Sequence, residues 1–171
     1  DDFLIVTGGK INKSKRQTLL LMKAIQQINR DDVKLLVFGS VEDELKKEFN
    51  KLADDKNIKF LGWIDSSKTY NFFTIADLVV FPGRHSVFWE QVAGLGIPML
   101  VKYWKGTTHV DVGGNCEFLY EDSIKEIKSK IEEIINNSDK YRSMKKIAQN
   151  KAMNKFLYSN IAKESIKWNI F

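Results

Sequence analysis

Three stretches of the chain carry side chains that can hold or activate a ligand. In the first, Thr7-Gly8-Gly9-Lys10-Ile11-Asn12-Lys13-Ser14-Lys15-Arg16 follows an apolar run. It places four cations, Lys10, Lys13, Lys15 and Arg16, within seven residues behind two adjacent glycines. Glycine lets the backbone approach a ligand closely, and a helix starting near Lys15 would add free amide hydrogens and a positive dipole end. That combination suits a diphosphate, although it matches neither the dinucleotide GxGxxG fingerprint nor the Walker A loop. A solvated basic turn accounts for the same residues. The second stretch, 81–98, holds Arg84, His85 and Ser86 in a turn and Glu90 four positions beyond Ser86, a spacing that puts Ser86 and Glu90 on one face of a helix. There Glu90 either contacts a ligand or merely offsets the helix dipole, and His85 is either a ligand contact or an ordinary turn histidine. The third, 103–115, is long, polar and glycine-rich, with His109 and Asp111. Two such residues are too few for a metal cage, so a solvent-exposed loop and no metal site are expected.

These residues need a scaffold, and the apolar pattern predicts one. Aliphatic runs at 3–6, 33–38, 58–61, 78–81, 98–101 and 116–120 read as six strands. Helical periodicity fills the intervals at 17–28, 42–53, from 66 onward, and at 87–95, where Ser86 offers an N-cap and Gly96 precedes Pro98. Nearly continuous apolar strands joined by crossover helices belong in a parallel sheet covered on both faces, so the fold class is α/β, a doubly wound, mostly parallel six-stranded sheet. Helices at 123–136, 140–157 and 160–168 form a C-terminal tail, and no linker or repeat divides the chain, which reads as a single domain, 1–171. Ligands of such a sheet bind outside the carboxyl ends of the strands. That rule adds Gly39, after the second strand, and Trp63, beside Gly62 after the third, as candidates for flanking a planar group; Trp63 can equally be packed away.

Composition narrows the function classes. With 43% hydrophobic and 29% charged residues and 2 prolines, the chain is neither disordered nor collagen-like. No apolar run approaches the roughly 20 residues of a membrane span. The single Cys116 cannot form an internal disulfide, and with no leader at Asp1-Asp2-Phe3 the expected setting is cytoplasmic and the chain an excised fragment. Residues 140–171 hold eight basic residues and one acid, against a chain total of +5. Lys140, Arg142, Lys145, Lys146, Lys151 and Lys155 surround apolar positions at helical spacing, a face that either is solvated or rests on an anionic membrane surface. Nucleic acid is not expected, because no aromatics interleave with the cations and no reader motif is present.

The succession Gly9-Lys10, Lys15, Phe38-Gly39, Leu61-Gly62, 76–82 and Glu90-Gln91-Val92-Ala93-Gly94-Leu95-Gly96-Ile97-Pro98 is similar in order and spacing to the C-terminal half of glycosyltransferase family 4, the retaining GT-B enzymes. The resemblance implies a Rossmann-like donor domain that binds a UDP- or GDP-sugar as substrate, with no cofactor and no required metal. The acceptor would bind a separate N-terminal domain of the same enzyme, so this chain alone should bind donor without turnover. Lys10 stands where the family has arginine and Lys15 keeps its lysine, both on the donor diphosphate, while Glu90 stands where the second glutamate of a pair meets the ribose. The first glutamate, which contacts the sugar, is absent; Arg84, His85 and Ser86 occupy its segment. The variant Pro82-Gly83-Arg84-His85-Ser86 resembles a subgroup among bacterial capsule and lipopolysaccharide assembly enzymes; with the basic tail, the expected setting is the cytoplasm, either free or peripheral at the inner face of the plasma membrane. The last helices would then carry an unpartnered apolar face around Phe156, Tyr158 and Trp168. Two other readings stand beside this one: a GT-B-shaped sugar-nucleotide epimerase, and a flavodoxin- or receiver-like binding module.

Overall fold

The computed structural model describes residues 2–167. Its six strands are β1 (Phe3–Gly8), β2 (Val33–Phe38), β3 (Ile58–Phe60), β4 (Leu78–Phe81), β5 (Met99–Lys102) and β6 (Cys116–Leu119). They form one sheet in the order β3-β2-β1-β4-β5-β6, and every neighbouring pair is parallel. Successive residues of a strand point to opposite faces, and here both faces are dry. Ile5, Val80 and Leu100 enter a core with Leu21, Ile25 and Ile131, whereas Val6, Val79 and Val101 enter a second core with Phe73, Trp89 and Val92. The first core lies under α1 (Gln17–Ile28), α2 (Asp43–Ala53) and α5 (Ile124–Asn136); the second lies under α3 (Ser66–Thr74) and α4 (Phe88–Gly94).

The strand order reverses between β1 and β4, so the loops that leave those two strands diverge and open a crevice at the carboxyl edge. Asp77 secures the opposite end of this pair. Its Oδ2 accepts the Leu4 N–H at 2.9 Å, its own N–H donates to the Leu4 carbonyl at 2.8 Å, and the Tyr141 hydroxyl donates to its carbonyl at 3.1 Å. Asp77→Ala would strand the Leu4 amide and loosen Tyr141, and should cost about 1–3 kcal/mol in urea unfolding. A change below about 0.5 kcal/mol would show that water replaces the carboxylate.

The tail departs from the expected pattern. Residues 138–156 are one continuous helical run with a local widening, α6 (Ser138–Ile147) passing through a π-helical segment (Ala148–Ala152) into α7 (Met153–Phe156), and α8 (Tyr158–Lys167) follows. Close packing accounts for the small residues here, since a Cβ on Gly94 would lie 2.8 Å from the Phe156 carbonyl oxygen and one on Gly96 would lie 3.1 Å from the Gln149 Cα. Lys140 is not on the outer face; its ammonium bridges Glu117 at 2.5 Å and Glu133 at 2.7 Å. Phe156 packs against the second core rather than joining an exposed face, while Leu157, Tyr158, Ile161 and Ile166 are exposed. Trp168 lies outside the described residues. Among the described residues no helix is long and apolar enough to cross a membrane.

Candidate functional site

At the carboxyl edge the loops after β1, β2 and β3 are sewn together by their backbones. The Gly9 amide donates to the Phe38 carbonyl at 3.1 Å, the Gly39 amide to Gly62 at 2.7 Å, and the Ile11 amide to Ser40 at 2.8 Å. Such contact needs residues without side chains: Gly39 has φ +130°, and a Cβ there would lie 1.8 Å from the Gly9 carbonyl oxygen. The result is a rigid shelf with two adjoining clefts.

The first cleft lies on the crevice between β1 and β4 and is lined by Gly9, Lys10, Lys15, Thr18, Arg84 and Ser86, among others. Burial alone holds the Lys15 ammonium below its ordinary pKa. Among the described residues neither Lys15 nor Arg84 has a carboxylate within ion-pair distance, so both charges are available to an anion. Lys10 differs, because its ammonium reaches Glu42 at 3.3 Å. Lys13 is likewise paired, with Glu44 at 2.7 Å. The α1 start beside this cleft follows a 3-10 turn at Lys13–Lys15 and carries no side-chain cap and no acid in its first turn. Its early amides are therefore left for a ligand or solvent. The second cleft, about 260 Å³, shares Gly9 and Lys10 with the first and adds Gly39, Ser40, Trp63 and Phe88. Trp63 is 71% exposed, which removes the packed alternative for that residue. Among the described residues no acidic side chain lines either cleft.

Seven of the nine sequence candidates thus share these two clefts: Gly9, Lys10, Lys15, Gly39, Trp63, Arg84 and Ser86. His85 and Glu90 do not. The helix begins only at Phe88, and Ser86 contributes its backbone carbonyl to the Trp89 amide rather than a side-chain cap. The four-residue spacing from Ser86 to Glu90 therefore spans a turn, and the shared-face argument fails. Glu90 Oε1 instead accepts from Nε2 of His85 and Nε2 of His109, each at 2.7 Å. Burial opposes ionisation of Glu90, but hydrogen bonds from His109, its own backbone and His85 outweigh it and hold the carboxyl below its ordinary pKa.

His109 was missed as a site residue. It stands in a 3-10 turn (Thr108–Val110) and is brought to Glu90 from beyond β5, so the loop is not merely solvent-exposed. Asp111 caps that loop, its Oδ1 accepting from the amides of Gly114 and Cys116. One signal was present in the sequence: the chain has 2 histidines, His85 and His109, and each follows a strand predicted to end at the ligand edge.

The arrangement can be set against known proteins. Residues 1–151 match the family model described as glycosyl transferases group 1. No curated protein matches the chain. Among solved structures, the catalytic domain of cholesterol-α-glucosyltransferase from Helicobacter pylori has a TM-score of 0.73 at 18% identity, over 91% of this chain and 99% of that one. HepE of Anabaena, in complex with UDP and glucose, gives 0.70 at 18%, over 96% of this chain and 48% of that one. A Listeria monocytogenes protein described as a UDP-N-acetylglucosamine 2-epimerase gives 0.71 at 16%, over 85% and 39%. At these identities the likeness concerns the fold, which transferases and an epimerase share. The chain spans about half or less of the length of two of the three. The family match runs from β1 through the buried face of the tail and takes in both clefts and the His85–Glu90–His109 cluster, and on that ground the chain belongs to the glycosyl transferases group 1 family.

Proposed function

We propose that this chain is the donor-binding half of a two-domain glycosyltransferase. It would hold a nucleotide-diphosphate sugar across the carboxyl edge of the sheet, for transfer with retention to an acceptor in bacterial surface polysaccharide or lipopolysaccharide synthesis. The observation that carries the reading is the pair Lys15 and Arg84, two cations without carboxylate partners among the described residues, on one cleft at the point where the strand order reverses. The diphosphate lies against them and the α1 start, and the base lies in the adjoining cleft on the exposed face of Trp63 beside Gly39. Positive groups fixed in a half-buried cleft stabilise the diphosphate as it departs with negative charge. The ribose is not assigned to Glu90, because Oε1 is engaged by two imidazoles and neither cleft includes it.

An acid-free lining suits a multiply charged anion, and it disfavours the epimerase reading, which calls for carboxylates around the sugar. Family membership sets aside the flavodoxin- or receiver-like module. The share of longer relatives that the chain spans supports a second, acceptor-binding domain of the same enzyme. A cytoplasmic site at the membrane face draws support from the exposed Lys145, Lys146 and Lys151 of the tail.

The test is calorimetric titration with UDP and UMP, repeated with GDP and ADP to identify the base. UDP should bind at least about tenfold more tightly than UMP, a difference of about 1.4 kcal/mol from the second phosphate, and should quench Trp63 fluorescence. Equal affinity for UDP and UMP, or no binding of any diphosphate, would overturn the reading. Affinity should also decline as the medium becomes alkaline. A bound anion favours the ammonium form and raises the Lys15 pKa, so binding is strongest while the free protein still holds that proton. It weakens as pH rises through a free-state value lying below the ordinary 10.5. A flat profile up to the ordinary lysine range would exclude Lys15 from the contact.

A further inference from the structure

We propose that His85, Glu90 and His109 form a binding site for a divalent transition-metal ion of the zinc class. Three elements converge to build it: the turn after β4 supplies His85, α4 supplies Glu90, and the 3-10 turn after β5 supplies His109. Both imidazole Nε2 atoms lie 2.7 Å from the same carboxylate oxygen, and a set of one ligand atom from each residue falls within 4.8 Å of one another. A tetrahedral ion with bonds of about 2.1 Å needs ligand atoms about 3.4 Å apart, so each of the two nitrogen–oxygen pairs now at 2.7 Å must open by roughly 0.7 Å to admit an ion. Two imidazoles and one carboxylate suit zinc and its neighbours rather than magnesium or calcium, which prefer all-oxygen shells. Three protein ligands leave a coordination position open. His85 also borders a cleft with Arg84 and Trp104, from which water or a substrate oxygen can reach that position.

Two further observations point to an ion rather than to a simple hydrogen-bonded clamp. The second oxygen of Glu90, Oε2, is shielded from solvent and accepts from no other residue, which leaves half of the carboxylate open to a ligand beside the two rings. The supporting shell is also rigid. Val110, next to His109, is fully buried, and its carbonyl accepts from the buried Asn115 amide at 3.0 Å. Lys155 donates to the His109 carbonyl at 3.3 Å, and the His85 ring stands edge-on to Trp89 at 5.0 Å between centroids. Without an ion, the two bonds to one oxygen need a hydrogen on each Nε2. Coordination uses the Nε2 lone pairs, so each neutral ring moves its proton to Nδ1.

The chain contains 2 histidines and both belong to this cluster, which makes the test unusually clean. The chelator-stripped 171-residue chain is titrated with zinc chloride while the imidazole proton resonances are followed by NMR, and the affinity is read by calorimetry. One zinc per chain should bind, with both sets of histidine resonances shifting together. His109→Ala should weaken binding at least about 100-fold, the upper range for loss of a supporting group and a floor for loss of a ligand. Glu90→Gln should weaken binding while its melting temperature shows that it is folded. Absence of saturable binding, movement of one histidine without the other, or unchanged affinity in His109→Ala would overturn the proposal and leave a hydrogen-bonded clamp. The wild-type NMR titration reads the result even if a variant fails to fold.

Discussion

Gly39→Ala is expected to destabilise the domain by at least about 3 kcal/mol and to abolish diphosphate binding. Two costs combine at this position. The backbone sits at φ +130°, a region that residues with a side chain rarely enter, and the new methyl would fall 1.8 Å from the Gly9 carbonyl oxygen and 2.7 Å from its carbon. Those neighbours are main chain and cannot rotate away. Relief requires the β1 and β2 loops to part, which breaks the Gly39 to Gly62 and Gly9 to Phe38 hydrogen bonds that make the shelf. Gly62→Ala is the matched comparison. Its φ is +73° and nothing lies within 4 Å of the added atom, so only the left-handed conformation is penalised, by about 1–2 kcal/mol. Urea unfolding of both variants decides the matter: midpoints that convert to within about 1 kcal/mol of each other would mean that the loops yield and that close approach is not what Gly39 provides.

Lys15→Ala should lower UDP affinity by about 10- to 100-fold, or roughly 1.4–2.7 kcal/mol, the range of a charge-assisted contact in a partly desolvated site. The magnitude follows from the absence of a competing carboxylate, since no internal ion pair has to be broken for the ammonium to meet phosphate. Fold stability should hold or rise, because removing a half-buried, unpaired cation relieves the desolvation that lowers its pKa. Lys13→Ala is the control. That ammonium is exposed and engaged with Glu44, so affinity should stay within about twofold. Equal losses from the two variants would point to a diffuse basic patch; no loss from Lys15→Ala would remove the diphosphate from this cleft.

The sequence by itself determined the architecture. Six apolar runs predicted within two residues of their observed bounds, with helical periodicity between them, leave few arrangements other than a covered parallel sheet, because local patterning and chain connectivity settle which faces must be dry. The first cleft was legible for the same reason: glycines and cations directly after β1 must lie at the carboxyl edge wherever the strand goes. Side-chain pairing was not legible. Whether Lys10 is free or tied to Glu42, on a different loop, depends on how the β1 and β2 loops interlock, and whether Trp63 packs or stands exposed depends on what α3 already covers.

The largest difference concerns Glu90. A helix capped by Ser86 and running from Val87 would have set it on the face of Ser86, but α4 begins at Phe88 with Ser86 in the turn before it, and the carboxylate meets His85 and His109 instead. It meets His109, 19 residues further along the chain, because β4 and β5 are neighbours in the sheet and their following loops rise side by side. Spacing along a chain constrains partners within one element; partners from two loops are chosen by strand order, which only the folded sheet supplies.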